Sequence, residues 1–266
     1  MFSRDLISLS GYDREGFASR YDRYRPRPPR ALLDTLCRYA GVERPALVVD
    51  LGCGTGLSTR AWSGVAAGAI GVEPNPAMLA AAAPAPGVGY VEAYAQETGL
   101  DDGCAEIVTC SQSLHWMEPA PTFAEAARLL RRGGVFAAYD YDWPPVVEPE
   151  LDEAYEEYQR RRAGFRHRHG IQRGGDRWPK DEHLERMRAS GHFSYCREIL
   201  LHSVEHGDAD RVVGFTRSLG LPVVDMTYED ADDELGVNEL AAVAERVLGT
   251  RTVPFVFGYR VRVGVM

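Results

Sequence analysis

The sequence predicts an α/β protein built on one open, largely parallel, doubly wound sheet, and three observations lead there. Short apolar runs alternate with stretches of helical periodicity from Ala46 onward, which is the pattern of βαβ units. The first run, Leu47 to Leu51, leads straight into glycines at every second position, Gly52, Gly54 and Gly56. The 266 residues are 45% hydrophobic and 26% charged, enough to bury a large core and too balanced for a disordered or collagen-like chain.

The elements follow in order. Residues 12–30 carry aromatics and arginines and end in Arg25-Pro26-Arg27-Pro28-Pro29-Arg30, whose prolines favour an extended segment. Leu32, Leu33, Leu36 and Cys37 then recur at helical spacing, with Pro29 suited to the entry and Gly41 to the exit. Strands are expected at Leu47 to Leu51, Ala69 to Val72, Val88 to Ala93, Glu106 to Cys110 and Val135 to Tyr139. Helices are expected at Thr59 to Ser63, Pro76 to Ala83 and Thr122 to Arg131. After Asp142-Trp143-Pro144-Pro145 a charged, helix-prone stretch from about Leu151 to Ala189 reads as an insertion over the sheet. Two further strands, Tyr195 to Val204 and Pro254 to Val265, flank a helix at Asn238 to Leu248. The chain is thus read as one domain, 1–266, with a cover (1–45), a core (46–142), an inserted lid (143–190) and C-terminal strands and helix of the same sheet (191–266).

A net charge of -9 opposes attraction to phosphate backbones or anionic lipid, so neither nucleic acid nor a membrane is an expected partner. The basic residues are almost all arginine, Lys180 being the only lysine, a bias that fits a GC-rich genome and suggests no mechanism. Cys37, Cys53, Cys104, Cys110 and Cys196 show no paired spacing, so neither disulfides nor a zinc site is expected. Met1 to Gly11 has no apolar signal region, and no later run reaches the roughly 18 apolar residues of a membrane span. The expected location is the cytoplasm.

Val48-Val49-Asp50-Leu51-Gly52-Cys53-Gly54-Thr55-Gly56 carries the strongest chemical signal. Glycine alone lets a backbone turn tightly and approach a ligand without a Cβ in the way. In an open α/β sheet such a loop lies at the crevice where ligands bind. Ile70-Gly71-Val72-Glu73-Pro74 places an acid at the end of the next strand, where a carboxylate can accept from both hydroxyls of a ribose. An adenosine-containing ligand follows. The spacing is G-x-G-x-G, with Leu57 where a dinucleotide fingerprint wants its last glycine.

With those motifs the chain resembles a class I S-adenosylmethionine-dependent methyltransferase, closest to the small-molecule group that includes ubiquinone-biosynthesis and trans-aconitate enzymes. The resemblance runs from about Phe17 to Arg132. It takes in Tyr21-Asp22-Arg23-Tyr24-Arg25-Pro26, the Asp50 to Gly56 loop, Glu73-Pro74-Asn75-Pro76-Ala77-Met78-Leu79, Ser113-Leu114-His115-Trp116, and Leu129-Leu130-Arg131-Arg132-Gly133-Gly134. It implies a Rossmann-like sheet of seven strands, the last antiparallel, under an N-terminal helical cover and the inserted helical lid. It also implies S-adenosyl-L-methionine as cofactor, with Asp50, Gly52, Gly54 and Gly56 at the methionine end and Glu73 on the ribose. Pro74 and Asn75 to Met78 would lie beside the adenine, Ala95 and Gln96 at the adenine amino group, Ser111 near the methionine portion, and Tyr24 and Arg25 over the cofactor carboxylate. Tyr94 and Gln96 stand where the family usually has acids.

Methyl transfer asks mainly that the acceptor be held close and in line, and an alcohol or ammonium acceptor must also lose a proton. His115, just after the fourth strand, is the candidate base, its alternative being a packing role beside Trp116. Tyr141, in Tyr139-Asp140-Tyr141-Asp142-Trp143 at the end of the fifth strand, is a second candidate for contact with the acceptor. Arg160-Arg161-Arg162, Arg166, Arg168, Arg173 and Arg177 make the insertion basic. They read first as a solvated helix face, neutralised in part by the acidic Asp225 to Glu234, and second as an anion pocket. His167-Arg168-His169 and the pair His202 and His206 lack partners at ligand spacing, so no metal is expected.

The reading is methyl transfer from S-adenosylmethionine to an O or N atom of a small-molecule or short peptide-like acceptor, of the kind met in secondary metabolism. The alternatives are an NAD(P)-dependent oxidoreductase and an S-adenosylmethionine-binding protein without turnover. Oligomeric state is not legible in the sequence.

Overall fold

The computed structural model describes residues 16–168, 178–219 and 228–266. Its centre is a seven-stranded sheet in the order β3-β2-β1-β4-β5-β7-β6, with β1 Leu47–Leu51, β2 Gly68–Glu73, β3 Val88–Glu92, β4 Ala105–Ser111, β5 Leu130–Tyr141, β6 Tyr195–Gly207 and β7 Val253–Val265. Neighbours from β3 to β5 pair in parallel, whereas β7 runs antiparallel to both β5 and β6. The seven strands and the antiparallel last strand are those the sequence led us to expect.

The central strands are short and apolar on both faces because both are covered. Successive residues alternate sides, and Val48 and Val49, both fully buried, accordingly belong to different cores. The first core lies under α1 (Phe17–Tyr24), α2 (Arg30–Tyr39), α6 (Pro149–Arg168), α8 (Ala209–Arg217) and α10 (Val237–Leu248). It takes in Leu32, Leu36, Tyr155, Phe215 and Leu240. The second lies under α5 (Pro119–Leu129) and α7 (His183–Ala189), where Phe123, Phe136 and Phe193 meet ring to ring.

Short α3 (Leu57–Arg60) and α4 (Pro76–Ala80) follow β1 and β2. The latter starts because Asn75 Oδ1 accepts from the Ala77 amide at 2.9 Å and Pro76 occupies its first turn. A 3-10 turn, Leu114–Trp116, follows β4, and α9 (Tyr228–Leu235) precedes α10.

The inserted segment is amphipathic where it begins. Leu151, Tyr155 and Phe165 of α6 are fully buried, while its charged face is paired: Arg160 with Glu157, Arg161 with Glu157 and Glu239, and Arg168 with Glu234 of α9. Arg162 donates to the Leu219 carbonyl. His169, Arg173, Arg177 and the Arg166 side chain lie outside the described residues. His202 and His206 sit on the edge strand β6, opposite Gly258 and Pro254. No helix among the described residues is long and apolar enough to cross a membrane.

Candidate active site

At the carboxyl ends of β1, β2, β4 and β5, where an open sheet of this order leaves its crevice, the surface opens into a cavity of about 1270 Å3 including its mouth. Gly52 and Gly54 from the loop after β1, Glu73 and Met78 from the end of β2, Ala95 beyond β3 and Ser111 at the end of β4 all line it. These pieces are remote in sequence, and the sheet brings them to one edge.

The loop after β1 is held by backbone hydrogen bonds. Gly52 and Cys53 both donate to the Val72 carbonyl, at 2.7 and 3.1 Å. Gly52 has a φ of 68°, and a Cβ there would come within 2.5 Å of Met117 Cε and 2.7 Å of Ser113 Cβ. Gly54, with a φ of 57°, turns its amide onto Glu73 Oε2 at 3.0 Å. Glu73 Oε1 accepts from the Asn75 amide at 3.0 Å. Burial pushes the Glu73 carboxyl above its ordinary range, and these two amides oppose the shift. Each oxygen keeps lone-pair capacity for a further donor. Glycine backbone and a carboxylate that can still accept match a cofactor whose ribose presents two hydroxyls.

Of the residues singled out in the sequence, Arg25, Gly52, Gly54, Glu73, Pro74, Met78, Ala95, Gln96, Ser111 and Tyr141 do line this cavity, and four do not. Asp50 is fully buried, and its carboxylate accepts from Ser58 Oγ at 2.6 Å, Thr59 Oγ1 at 2.7 Å and Thr109 Oγ1 at 2.8 Å. It fastens the loop to α3 and β4 from below, in place of the cofactor contact expected from the sequence. Gly56 faces Tyr90, whose Oη lies 2.2 Å from where a Cβ would stand. Tyr24 packs away from the cavity, against the first core and Gly214, and donates to Asp210 Oδ2 at 2.8 Å. Its neighbour Asp22 instead binds the loop, accepting from Thr55 Oγ1 at 3.1 Å and pairing with Arg60. His115, 8% exposed, packs its ring on Trp116 at 5.4 Å between centroids, and Trp116 rather than His115 reaches the cavity.

The other end of the cavity is made from side chains of distant segments. Arg25 donates to the Tyr141 hydroxyl and, at 2.8 Å, to the Ser218 carbonyl, and stacks over the Tyr21 ring at 4.7 Å. Tyr259, on β7, joins this wall and donates to the Arg27 carbonyl at 3.0 Å. Among the described residues, Arg25 is the one arginine in the lining and Glu73 its one carboxylate.

Sequence reading missed Tyr259 and Gln112. The latter lines the cavity with a φ of 53°, the one non-glycine residue with positive φ among those described, a conformation that marks strained functional loops. Its Nε2 donates to the Tyr141 carbonyl at 3.2 Å, and its Oε1 accepts from Lys180 Nζ at 2.7 Å.

Comparison with known proteins places this geometry. Residues 49–138 match a family model described as a methyltransferase domain. An uncharacterized methyltransferase of Mycobacterium tuberculosis is 36% identical over 115 residues, 43% of this chain and 46% of that protein. A candidate S-adenosylmethionine-dependent methyltransferase of Saccharomyces cerevisiae is 26% identical over 150 residues, 53% of this chain and 51% of that protein. The match thus spans about half the length of the curated relatives. A solved structure of a candidate type II methyltransferase from Anaeromyxobacter dehalogenans superposes with a TM-score of 0.67 at 26% identity, covering 91% of this chain and 98% of that one.

Proposed function

We propose that this chain, whose residues 49–138 match a methyltransferase-domain family model, is a class I S-adenosylmethionine-dependent methyltransferase that transfers a methyl group to an oxygen or nitrogen atom of a small-molecule or short peptide-like acceptor. One observation carries the cofactor half of that reading: Gly54, Glu73 and the Ala95-Gln96 pair, from three different strand ends, line one cavity. In this reading Gly52 and Gly54 lie along the methionine portion with Ser111, Glu73 accepts from the ribose hydroxyls, Pro74 and Met78 lie along the adenine, and Gln96 offers its amide to the adenine amino group. The bound cofactor supplies an electrophilic methyl on a sulfonium. The chain's own residues bind, orient and exclude water, and such positioning is worth up to about 7–11 kcal/mol.

For the acceptor end the reading is a flat, neutral or anionic molecule. Tyr21, Trp116, Tyr141 and Tyr259 supply aromatic surface, and Arg25 supplies the positive charge, which disfavours a cationic acceptor. Tyr141 is assigned to contact with the acceptor, and Arg25, which donates to its hydroxyl, stands between the acceptor and the cofactor carboxylate that the resemblance gives it. His115 is assigned to holding Trp116. Five unpaired cysteines, Cys37, Cys53, Cys104, Cys110 and Cys196, support a reducing, cytoplasmic location.

Heat stabilisation by S-adenosylhomocysteine against NAD tests the cofactor. Stabilisation by the first alone is the expected result, and stabilisation by NAD alone overturns the reading in favour of an oxidoreductase. Turnover across phenols, carboxylates and amines then tests the acceptor class. Tight cofactor binding with no turnover in any of them points to a binding protein.

A further inference from the structure

The insertion returns to the cavity through a short segment that grips the turn after β4 at both ends. The Trp178 amide donates to the His115 carbonyl at 2.9 Å. Lys180 Nζ donates to Gln112 Oε1 at 2.7 Å and pairs with Asp140 Oδ1 at 2.6 Å. The turn so held carries Gln112, Ser113 and Trp116, all of which line the cavity.

The chemistry of the Lys180 contact is directional. An ammonium has donors only, whereas a carboxamide can present oxygen or nitrogen to a neighbour by turning over. Facing Lys180, the amide of Gln112 must present its oxygen, so its nitrogen faces the Tyr141 carbonyl 3.2 Å away. One N–H satisfies that carbonyl and the second remains for the cavity. The backbone cannot relax the side chain elsewhere, because the Gln112 amide is itself fixed on the Tyr139 carbonyl at 2.9 Å with φ at 53°.

The charge balance around the contact makes the lysine removable. Asp140, 7% exposed, is also held through Oδ2 by Arg262 at 2.9 Å, and Arg262 in turn meets Glu198 at 3.0 Å. Loss of the ammonium therefore leaves the buried carboxylate paired.

We propose that Lys180 is a positioning residue for the cavity, acting through Gln112: it locks the carboxamide so that Gln112 offers the bound ligand a hydrogen-bond donor, and it ties the end of the insertion to the turn that carries that donor. A guanidinium at this position would also donate, so arginine is the conservative replacement; what the site uses is a cation that reaches two acceptors, Gln112 Oε1 and Asp140 Oδ1, at once.

The test has an arm that needs no ligand. In 1H–15N spectra the Gln112 side-chain amide, identified by its loss in Gln112→Ala, should show protons protected from exchange in the wild type. Lys180→Met should speed that exchange at least about tenfold, and Lys180→Arg should restore most of the protection. In the second arm, stopped-flow release of S-adenosylhomocysteine should be about 3–10-fold faster in Lys180→Met and near wild type in Lys180→Arg, with thermal stability little changed. Unchanged amide protection in Lys180→Met overturns the proposal, as does altered protection without any change in release. A wild type that binds no S-adenosylhomocysteine overturns the cofactor reading instead, and the amide arm still decides this one.

Discussion

The two ends of the cavity are built by opposite means. The end proposed for the cofactor is shaped by main chain and one carboxylate, all within a few residues of strand termini: Gly52 and Gly54 after β1, Glu73 and Asn75 after β2. The end proposed for the acceptor is made by long side chains that converge from the N-terminal cover, β5 and β7: Arg25, Tyr141 and Tyr259. Backbone contacts depend on the fold alone and tolerate little variation in side-chain volume. Side-chain contacts can be exchanged residue by residue while the sheet stays as it is. Such a division lets the side-chain-built end be changed without disturbing the sheet.

The comparison predicts that the severest single damage is done to main chain. Gly54→Val should abolish measurable binding of S-adenosylhomocysteine by calorimetry, a loss of at least about 100-fold, while far-ultraviolet circular dichroism stays native. The branched side chain enters the cavity at a φ of 57°, and its nearest obstacle is the flexible end of Met78, 3.1 Å from the Cβ position. Strain at such a φ costs roughly 1–3 kcal/mol, which a surface loop can absorb. A folded variant that binds as well as wild type would remove the loop from the site.

Away from both ends, a buried histidine of α7 should make the fold acid-sensitive. His183, fully buried, has its imidazole pushed down to about 4, first by burial and then by Arg262, Arg186 and Lys180, with Asp140 opposing. The unfolded chain takes up this proton near pH 6.5 and the folded chain refuses it until about pH 4, so stability should fall as pH drops across that window and level off below it. A shift of this size, at 1.36 kcal/mol per unit, amounts to about 3 kcal/mol. Denaturant melts between pH 7 and 4 should show the decline in wild type and a shallower one in His183→Leu. Equal slopes in the two proteins would separate the acid limb from this residue.

Legibility follows the same division. Gly52, Gly54, Glu73 and, through the resemblance, Met78 and the Ala95-Gln96 pair line the cavity, since each follows a strand end, where topology sets its position. All seven strands were found, although β5 runs from Leu130 to Tyr141 rather than from Val135 to Tyr139, since its first residues also pair with Ala105 across a register shift. Helix α8, for which the sequence reading gave no element, packs its Gly214 against the Tyr24 ring. Asp50, Gly56 and Tyr24, assigned to the cofactor by the resemblance, and His115, the candidate base after the fourth strand, lie outside the cavity lining, because a strand or turn points neighbouring side chains in different directions. Tyr259 and Lys180 have no local signature. The one hint was compositional, a single lysine in a chain that otherwise uses arginine.

A smaller effect than Gly54→Val is expected at the carboxylate of the cofactor end. Glu73→Ala should weaken S-adenosylhomocysteine binding by about 1.5–3 kcal/mol, the scale of hydrogen bonds to a charged acceptor, with Glu73→Gln between it and wild type. The glutamate also caps the Gly54 and Asn75 amides, so calorimetry should be paired with a thermal melt. A drop in melting temperature with unchanged affinity would make Glu73 a loop brace and return the ribose contact to backbone.

The smallest effect is expected at His115, and it sharpens the comparison most. A general base typically contributes about 10²–10⁴ in rate, and its removal also erases an inflection near the ordinary imidazole value of about 6.5. The His115 ring, however, stacks on Trp116 and stands outside the cavity lining, while its carbonyl receives the Trp178 amide at 2.9 Å. A residue so placed acts by setting the Trp116 surface. His115→Ala should therefore lower single-turnover methylation less than about tenfold, mostly through weaker acceptor binding, and leave cofactor affinity and the shape of the pH profile unchanged. His115→Phe, which keeps a ring against Trp116, should recover most of the loss, which no imidazole base allows. The profile is best measured at saturating cofactor with a neutral acceptor, since an acceptor already ionised needs no base and would hide the distinction. A fall of about a thousandfold with loss of the inflection, unrescued by phenylalanine, would put proton removal on His115 and require its ring to turn into the cavity when the acceptor binds.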